Sequence, residues 1–230
     1  MSSDKPSAVL VHGAWADGSS WSKVIDRLAD RGVYAVAAPL PLTSLADDVA
    51  ALDRVLARID GPVVLTGHAY AGAVIGSTRA SNVAGLVYVA AIAPDEGETV
   101  ADVFYRGESH AQAPRLAPDA HGWIWLPDAA FAAAFAQDAT PRELTLLAAL
   151  QRPISTACLG EAIARPLWKD RPSWFLIAER DRMIGAQTQH FLARRMNAHV
   201  RSFDADHMPL VTAPDAVTNV IVEAIGVLAA

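Results

Sequence analysis

One stretch of ten residues, VVLTGHAYAG at positions 63–72, restricts the possible folds more than any other part of the chain. A short apolar run ends at Gly67, only small side chains stand at 69, 71 and 72, and the apolar residues at 73–75 begin a helical pattern. A strand that turns sharply into a helix needs small residues where the two backbones approach each other. The stretch therefore predicts a strand, a tight turn with Ala69 at its tip, and a helix.

This pattern is typical of a nucleophile elbow, G-x-S-x-G, in which a strained turn pushes one reactive side chain towards the substrate. Two positions depart from the motif: Ala69 occupies the nucleophile position, and Ala71 occupies the last glycine position. Ala71 and Gly72 keep the residues small, but Ala69 has no atom that can attack a carbonyl group. The sequence thus predicts the scaffold of a hydrolase without its nucleophile.

Composition and charge exclude several classes of protein. The chain has 230 residues, of which 52% are apolar and 19% charged, and this predicts one folded domain over 1–230. The net charge of −6 and the lack of a basic block argue against a nucleic acid or a membrane surface as partner. No apolar run reaches the roughly 18 residues of a transmembrane helix. We expect a cytoplasmic protein, since Cys158 is the only cysteine and residues 1–6 carry no secretory signal.

Short apolar runs alternate with amphipathic helical patterns along most of the chain. The predicted strands lie at 8–11, 33–37, 63–66, 86–90, 173–177 and 199–203. Strands that alternate with helices form right-handed crossovers and a mainly parallel sheet. The alternation stops between about 95 and 168, where prolines and aromatic residues are frequent and helical patterns at 128–137 and 141–150 replace strands. We predict an α/β fold, a mainly parallel sheet flanked by helices, with a helical cap inserted over about 95–168.

Two titratable residues follow predicted strands in the order that acyl-transfer sites of this kind require: nucleophile, acid, base. They are Asp181 and His207. Because the carboxyl ends of parallel strands share one edge of the sheet, both are expected near Ala69. His207 would act as a general base, and Asp181 would fix its tautomer. Glu179, and more weakly Asp170, remain alternative acids.

The two turns that precede helices carry further candidates. The backbone N–H groups of Ala14 and Tyr70 would bind the oxyanion of a tetrahedral intermediate. His68 is expected to pack beside the elbow and His12 to stabilise the first turn, with a direct role for either left open. Cys158 is a poor replacement nucleophile, since it has no elbow and no neighbouring base. No Cys/His cluster has metal-ligand spacing and no glycine-rich phosphate loop occurs, so we expect no metal and no cofactor.

Five short motifs occur in a recognisable order: HGAW at 12–15, GHAYAG at 67–72, APDEGE at 93–98, QRP at 151–153 and DH at 206–207. In this order they resemble bacterial, esterase-like members of the α/β-hydrolase-fold superfamily, which are similar to the plant methylesterase and hydroxynitrile lyase group. The resemblance covers essentially the whole chain and implies the α/β-hydrolase fold. It assigns Asp181 and His207 to the acid and the base, and it aligns Ala69 with the nucleophilic serine.

The cap is expected to form an apolar wall above the elbow. Aromatic residues are frequent in it, and the turn after the first strand adds two more ring side chains. Apolar pockets are usually lined in this way, with few polar groups. We predict a pocket for a small apolar ester or carbonyl compound. Its candidate lining residues are His12, Trp15, Phe104, Tyr105, Trp123, Trp125 and Phe131.

Three functions are compatible with Ala69. The first is an esterase-like hydrolase whose hydrolysis is impaired or absent. The second is a lyase or cofactor-free oxygenase that uses His207 as general base, and the third is a small-molecule-binding protein without chemistry. The fold alone does not choose among them. Ala69 has two possible origins: a deliberate serine-to-alanine change, or a natural chain that lacks the serine. We favour the second.

Overall fold

The computed structural model describes residues 6–229, which form eight strands. They are β1 (Ser7–Val11), β2 (Ala35–Ala38), β3 (Val63–His68), β4 (Val83–Val89), β5 (Trp123–Ile124), β6 (Ile154–Ser155), β7 (Ser173–Ala178) and β8 (His199–Phe203). Six of them form one sheet in the order β2-β1-β3-β4-β7-β8, and every neighbouring pair is parallel. The predicted α/β architecture with a mainly parallel sheet is therefore confirmed.

Helices flank the sheet. They are α1 (Ser22–Asp30), α2 (Leu45–Leu56), α3 (Ala71–Ser77), α4 (Val100–Phe104), α5 (Asp128–Ala130), α6 (Pro141–Leu150), α7 (Ala157–Gly160), α8 (Ala186–Arg195), α9 (Pro209–Thr212) and α10 (Pro214–Leu228). All residues of β3 and β7 are buried, as expected for strands that are covered on both faces. Among residues 6–229, no helix combines the length and the apolar character needed to cross a membrane.

Two helices are shorter than their sequence patterns indicate. The helix after the elbow was expected to reach about residue 80, but α3 ends at Ser77 because Thr78 is extended and its hydroxyl donates to Asp53 of α2. The pattern at 128–137 is divided between α5 and a π-helical turn, Phe131–Phe135. Both differences are local and leave the sheet unchanged.

The segment between β4 and β7 contains more than helices. It holds α4 to α7, and also β5 and β6, which pair with each other in antiparallel orientation. Each of these strands has two residues. A strand of that length is too short to produce the alternation by which strands are recognised in a sequence, so the cap was expected to be wholly helical.

Candidate active site

The turn between β3 and α3 has the strained backbone of an elbow. Ala69 has φ of 48°, in the left-handed region that non-glycine residues rarely adopt. The flanking glycines allow the close approach: a Cβ on Gly72 would lie 2.2 Å from the carbonyl oxygen of Ile92, and one on Gly67 would lie 2.9 Å from that of Ala71. The backbone therefore projects the side chain at position 69 outward, although that side chain is a methyl group.

Asp181 and His207 lie side by side. The Nδ1 atom of His207 is 2.8 Å from Oδ2 of Asp181, which also accepts a hydrogen bond of 2.8 Å from Nε2 of Gln189. Oδ1 accepts the backbone N–H groups of Met183 and Ile184, at 2.7 and 2.9 Å. Each carboxylate oxygen thus accepts two hydrogen bonds. Because an ionised carboxylate only accepts, the proton of neutral His207 is on Nδ1 and the lone pair is on Nε2.

The two alternative acids lie elsewhere. Glu179 contacts the ring of His190 at the surface, and Asp170 pairs with Arg165, also at the surface. Neither makes a hydrogen bond to His207 within residues 6–229. The structure therefore leaves Asp181 as the carboxylate that can orient the imidazole.

His68 and His12 are buried and neutral, and both stabilise turns. Nε2 of His68 donates to the carbonyl oxygen of His207 at 2.7 Å, and burial lowers the pKa of His68 well below its usual value. Nε2 of His12 accepts the N–H of Leu40 at 3.0 Å, and Nδ1 donates to the carbonyl oxygen of Gly13 at 2.9 Å. His12 was predicted to line the pocket, but it is not one of the residues around the cavity at Ala69, and both of its ring nitrogens bind backbone.

We expect the two buried histidines to lower the free energy of unfolding as the pH falls. Burial lowers the pKa of His12 to about 4, from an ordinary value of 6.5. Between these values the unfolded chain binds a proton that the folded chain does not, so stability is full above the higher value and is lost towards the lower one. The loss from His12 is about 3 kcal/mol, and His68 acts in the same direction. Chemical unfolding across this pH range measures it.

The matched variants for this experiment are His12→Asn and His121→Gln. His12→Asn should reduce the slope of stability against pH, whatever its effect at neutral pH. His121→Gln removes an exposed histidine and should leave the slope unchanged. A stability that stays constant between the two pKa values of His12 would contradict the expectation.

Two backbone N–H groups border the elbow. A Cβ on Gly13 would lie 3.0 Å from Cβ of Ala69, so the turn after β1 is in contact with the tip of the elbow. The next residue in that turn is Ala14, and Tyr70 follows Ala69. Within the described residues, neither the Ala14 nor the Tyr70 N–H has a hydrogen-bond acceptor. Donors of this kind can bind a carbonyl oxygen that develops negative charge.

The cap fixes the turn that contains Ala14. Trp15 has φ of 58°, and its backbone N–H donates to the carbonyl oxygen of Arg152 at 3.0 Å. Its indole N–H donates to the carbonyl oxygen of Ile124, in β5, at 2.9 Å. The cap therefore does more than cover the site, since it holds the backbone on which one of the two N–H donors lies.

A buried carboxylate holds the side chain of Tyr70. Oδ2 of Asp48 accepts the Tyr70 hydroxyl at 2.7 Å and lies 3.7 Å from Sγ of Cys158, and Oδ1 accepts the N–H of Leu42 at 2.7 Å. Burial raises the pKa of the Cys158 thiol to about 12, so this cysteine stays protonated. A buried, protonated thiol is not a substitute for the missing nucleophile.

Tyr70→Phe is expected to destabilise the fold by about 1–3 kcal/mol, because it leaves the buried Asp48 carboxylate without its O–H donor. The measurement is the midpoint of urea unfolding. The matched control is Tyr34→Phe, since Tyr34 is 66% exposed and its variant should unfold like the parent chain. Equal stability of the two variants would show that the Tyr70–Asp48 hydrogen bond contributes nothing.

An apolar cavity joins the elbow, the two N–H groups and the base. Ala14, Trp15, Ala69, Tyr70 and His207 all line it, and its volume is about 40 Å³. No aspartate, glutamate, lysine or arginine lies in its wall. We call this space the inner cavity. Placing an unpaired charge in it would be costly, so it suits the uncharged groups of a ligand. Within residues 6–229, no three acidic, histidine or cysteine side chains are grouped to hold a metal ion.

The cap contributes some of the aromatic residues expected in the wall. Phe104 and Tyr105, at the end of α4, line the inner cavity. The remaining wall comes from residues that carry no chemical signal in a sequence. They are Ile92, Val100, Ala101, Leu116, Ile124, Ile154, Leu159, Met183 and Ile184.

Three cap aromatics predicted for the wall lie outside it. Trp123 and Trp125 stand on either side of Ile124, which faces the cavity. Since successive residues of a strand point to opposite faces, Trp123 of β5 is directed away from the cavity, and Trp125, which follows the strand, is 52% exposed. Phe131 is buried against Phe135, with ring centroids 5.4 Å apart.

Phe135 was not among the predicted site residues, yet it touches the site. Its ring centroid lies 5.3 Å from that of His207 and 6.2 Å from that of Trp15. It therefore packs between the base and the turn that carries Ala14. The only signal in the sequence was its spacing of four from Phe131, which is equally typical of a core helix.

Comparison with known proteins agrees with this geometry. The model of the alpha/beta hydrolase family matches residues 8–220. A sequence search of curated proteins found no match. Polyneuridine aldehyde esterase superposes with a TM-score of 0.78 at 19% identity, over 96% of this chain and 99% of that chain.

Two other solved structures give similar values. A pyrethroid hydrolase from Sphingobium faniae JZ-2 has a TM-score of 0.78 at 21% identity, over 97% of both chains. A methylesterase from Arabidopsis has a TM-score of 0.78 at 16% identity, over 96% of this chain and 99% of that chain. At such identities the likeness concerns the fold.

Proposed function

Because the chain belongs to the α/β-hydrolase family, we propose that its inner cavity binds a small apolar ester in the geometry of acyl transfer, without a residue that can form the acyl-enzyme. The observation that carries this proposal is the 2.8 Å contact between His207 and Asp181 at the cavity that Ala69 lines. A base oriented in this way beside two free N–H groups serves a reaction at a carbonyl carbon.

The residues act on the ester as follows. The carbonyl oxygen accepts the N–H groups of Ala14 and Tyr70, which polarise the carbonyl. Nε2 of His207 takes a proton from a water molecule while the water oxygen bonds to the carbonyl carbon, and Asp181 stabilises the resulting imidazolium. When the C–O bond to the alcohol breaks, His207 returns the proton to the leaving oxygen. In triad enzymes that have lost a member, the oxyanion donors and substrate binding alone still accelerate the reaction about a thousandfold over water.

A second candidate uses the same base without hydrolysis. The pairing of His207 with Asp181 needs no serine, so it supports proton abstraction from a small carbonyl or hydroxy compound, in lyase or cofactor-free oxygenase chemistry. Ester chemistry is favoured because the two N–H donors meet beside position 69, where an ester carbonyl would have to be attacked. The names of the similar structures, two esterases and a hydrolase, point the same way.

The test offers short activated esters and small carbonyl compounds to three proteins: the chain, Ala69→Ser and His207→Ala. Ester hydrolysis that is weak in the chain and strong in Ala69→Ser supports the first proposal. Turnover of a carbonyl compound by the chain that is lost in His207→Ala, with no gain in Ala69→Ser, supports the second. Tight binding without turnover in any of the three identifies a binding protein.

We also propose a reducing, cytoplasmic compartment for this activity. Cys158 is a free and fully buried thiol, and chains that lack disulfides are typical of reducing compartments. The proposed partner is the small-molecule ligand itself.

A further inference from the structure

A second hollow adjoins the inner cavity. We call it the outer chamber; its volume is about 410 Å³. Four residues, Phe104, Tyr105, Leu116 and Met183, line both spaces. A wall shared by four side chains makes the two spaces neighbours, so the outer chamber is the adjacent space towards which a ligand longer than the inner cavity would extend from Ala69 and His207.

The inner cavity is too small for a whole ester. Its volume is about 40 Å³, whereas pockets for small organic ligands typically measure about 300–1,000 Å³. The carbonyl group and a short apolar group fit beside the elbow. The other end of the ligand must then lie beyond the shared wall, in the outer chamber.

The outer chamber presents a hydroxyl group that has no protein partner. Thr188 lines it from the first turn of α8 and is only 8% exposed. Among the described residues, Oγ1 of Thr188 makes no hydrogen bond, and it is 2.9 Å from where a Cβ on Gly107 would lie. Oγ1 is not among the fully buried side-chain atoms that lack a partner, so it is accessible from the chamber that Thr188 lines, and a side chain on a helix holds it in a fixed position. Thr188 is therefore placed to bind a ligand.

The surroundings of Thr188 favour an acceptor group on that ligand. Gly185, which caps the N-terminus of α8, also lines the chamber, and the amino end of a helix favours partial negative charge. On the exposed loop opposite, Arg115 and Glu108 carry opposite charges, and neither forms an ion pair among residues 6–229. Since their charges offset each other, a neutral group fits better than an ion.

We propose that the outer chamber is a second binding subsite, which recognises a neutral oxygen acceptor, such as a ketone carbonyl, through the hydroxyl of Thr188. The ligand then has two parts: an ester carbonyl with a small apolar group in the inner cavity, and an oxygen-bearing group in the outer chamber. The proposal rests on the proposed function, because it assumes that an ester occupies the inner cavity.

The test compares two esters of equal length that differ only at the far end of one chain, where one has an alkyl terminus and the other a methyl ketone. Because the chain forms no acyl-enzyme, ester hydrolysis is slow compared with a binding measurement, and dissociation constants of the intact esters are read by calorimetry. The ketone ester should bind about two- to tenfold more tightly, as expected for one neutral hydrogen bond. Thr188→Val should abolish this preference, so that the two esters bind with equal affinity.

Thr145→Val is the matched control. It makes the same substitution on α6, where the hydroxyl donates to Pro141 and lies outside both spaces, and it should keep the preference. Equal affinities of the two esters for the chain would overturn the subsite, and so would a preference that survives Thr188→Val. If neither ester binds, the proposed function falls as well, so the two failures are distinguishable.

Discussion

Ala69→Ser is expected to turn the chain into an esterase that works through an acyl-enzyme. Ser differs from Ala by one oxygen, and the backbone at position 69 already has the left-handed conformation of an elbow, with φ of 48°. The new hydroxyl faces the cavity that His207 lines, and Asp181 already holds the tautomer that accepts its proton. Since loss of a triad serine lowers kcat about a millionfold, a gain of several orders of magnitude is expected.

Two measurements check this expectation. A chromogenic short ester should give a burst of alcohol equal to the amount of Ala69→Ser, followed by slower turnover, and a phosphonylating reagent should inactivate the variant stoichiometrically. Ala71→Ser is the matched control, since it places the same side chain two residues further along, away from the tip of the turn. A folded Ala69→Ser that shows neither burst nor inactivation would mean that the site has left acyl-transfer chemistry.

Most of the sheet could be predicted because its inner strands follow one simple rule. A strand that is buried on both faces is a continuous apolar run, and such runs stand out between amphipathic helices. The boundaries of β8, at 199–203, were predicted without error, although most of this edge strand is exposed. Strand ends then located Asp181 and His207, because in a parallel sheet all carboxyl ends lie at the same edge.

The parts that sequence did not reveal are set by tertiary contacts. Gln189 is fully buried and donates to Asp181, yet nothing near it in the sequence marks it as part of the site. The Asp48 carboxylate reaches Tyr70 and Cys158 from α2 across large separations in sequence. Thr188 likewise belongs to a helix whose pattern indicates only packing. The position of each of these side chains depends on how helices and strands pack together, and the periodicity of the sequence does not determine that packing.

In the cap, composition alone predicted too many residues of the cavity wall. Aromatic composition indicated an apolar wall, but the identity of the wall residues depended on the face that β5 presents. Because Ile124 points inward, its strand neighbour Trp123 cannot, and Trp125, just after the strand, is exposed. Short, irregular cap elements give no register in the sequence, so a count of aromatic residues there overstates how many line the cavity.

The hydrogen bonds around Asp181 make its replacement by asparagine a severe change. Both carboxylate oxygens are occupied by donors: two backbone N–H groups at Oδ1, and the side chains of Gln189 and His207 at Oδ2. An asparagine must direct its NH₂ group at one of these pairs. Facing the two backbone donors would leave buried N–H groups unsatisfied, and they cannot rotate away. On the other side only the Gln189 N–H would be left unsatisfied, because the imidazole can exchange its tautomer, so the amide is expected to face His207.

Asp181→Asn, made together with Ala69→Ser, is therefore expected to lower kcat for ester hydrolysis about ten-thousandfold, because Nδ1 of His207 would accept from the amide and Nε2 would carry the proton. Such an imidazole cannot take a proton from the new serine, so the rate of the burst should fall with kcat while KM changes little. Asp170→Asn in the same background is the matched control and should keep full activity, since Asp170 pairs with Arg165 at the surface. A double variant that keeps its rate would show that Asp181 does not set the tautomer of the base.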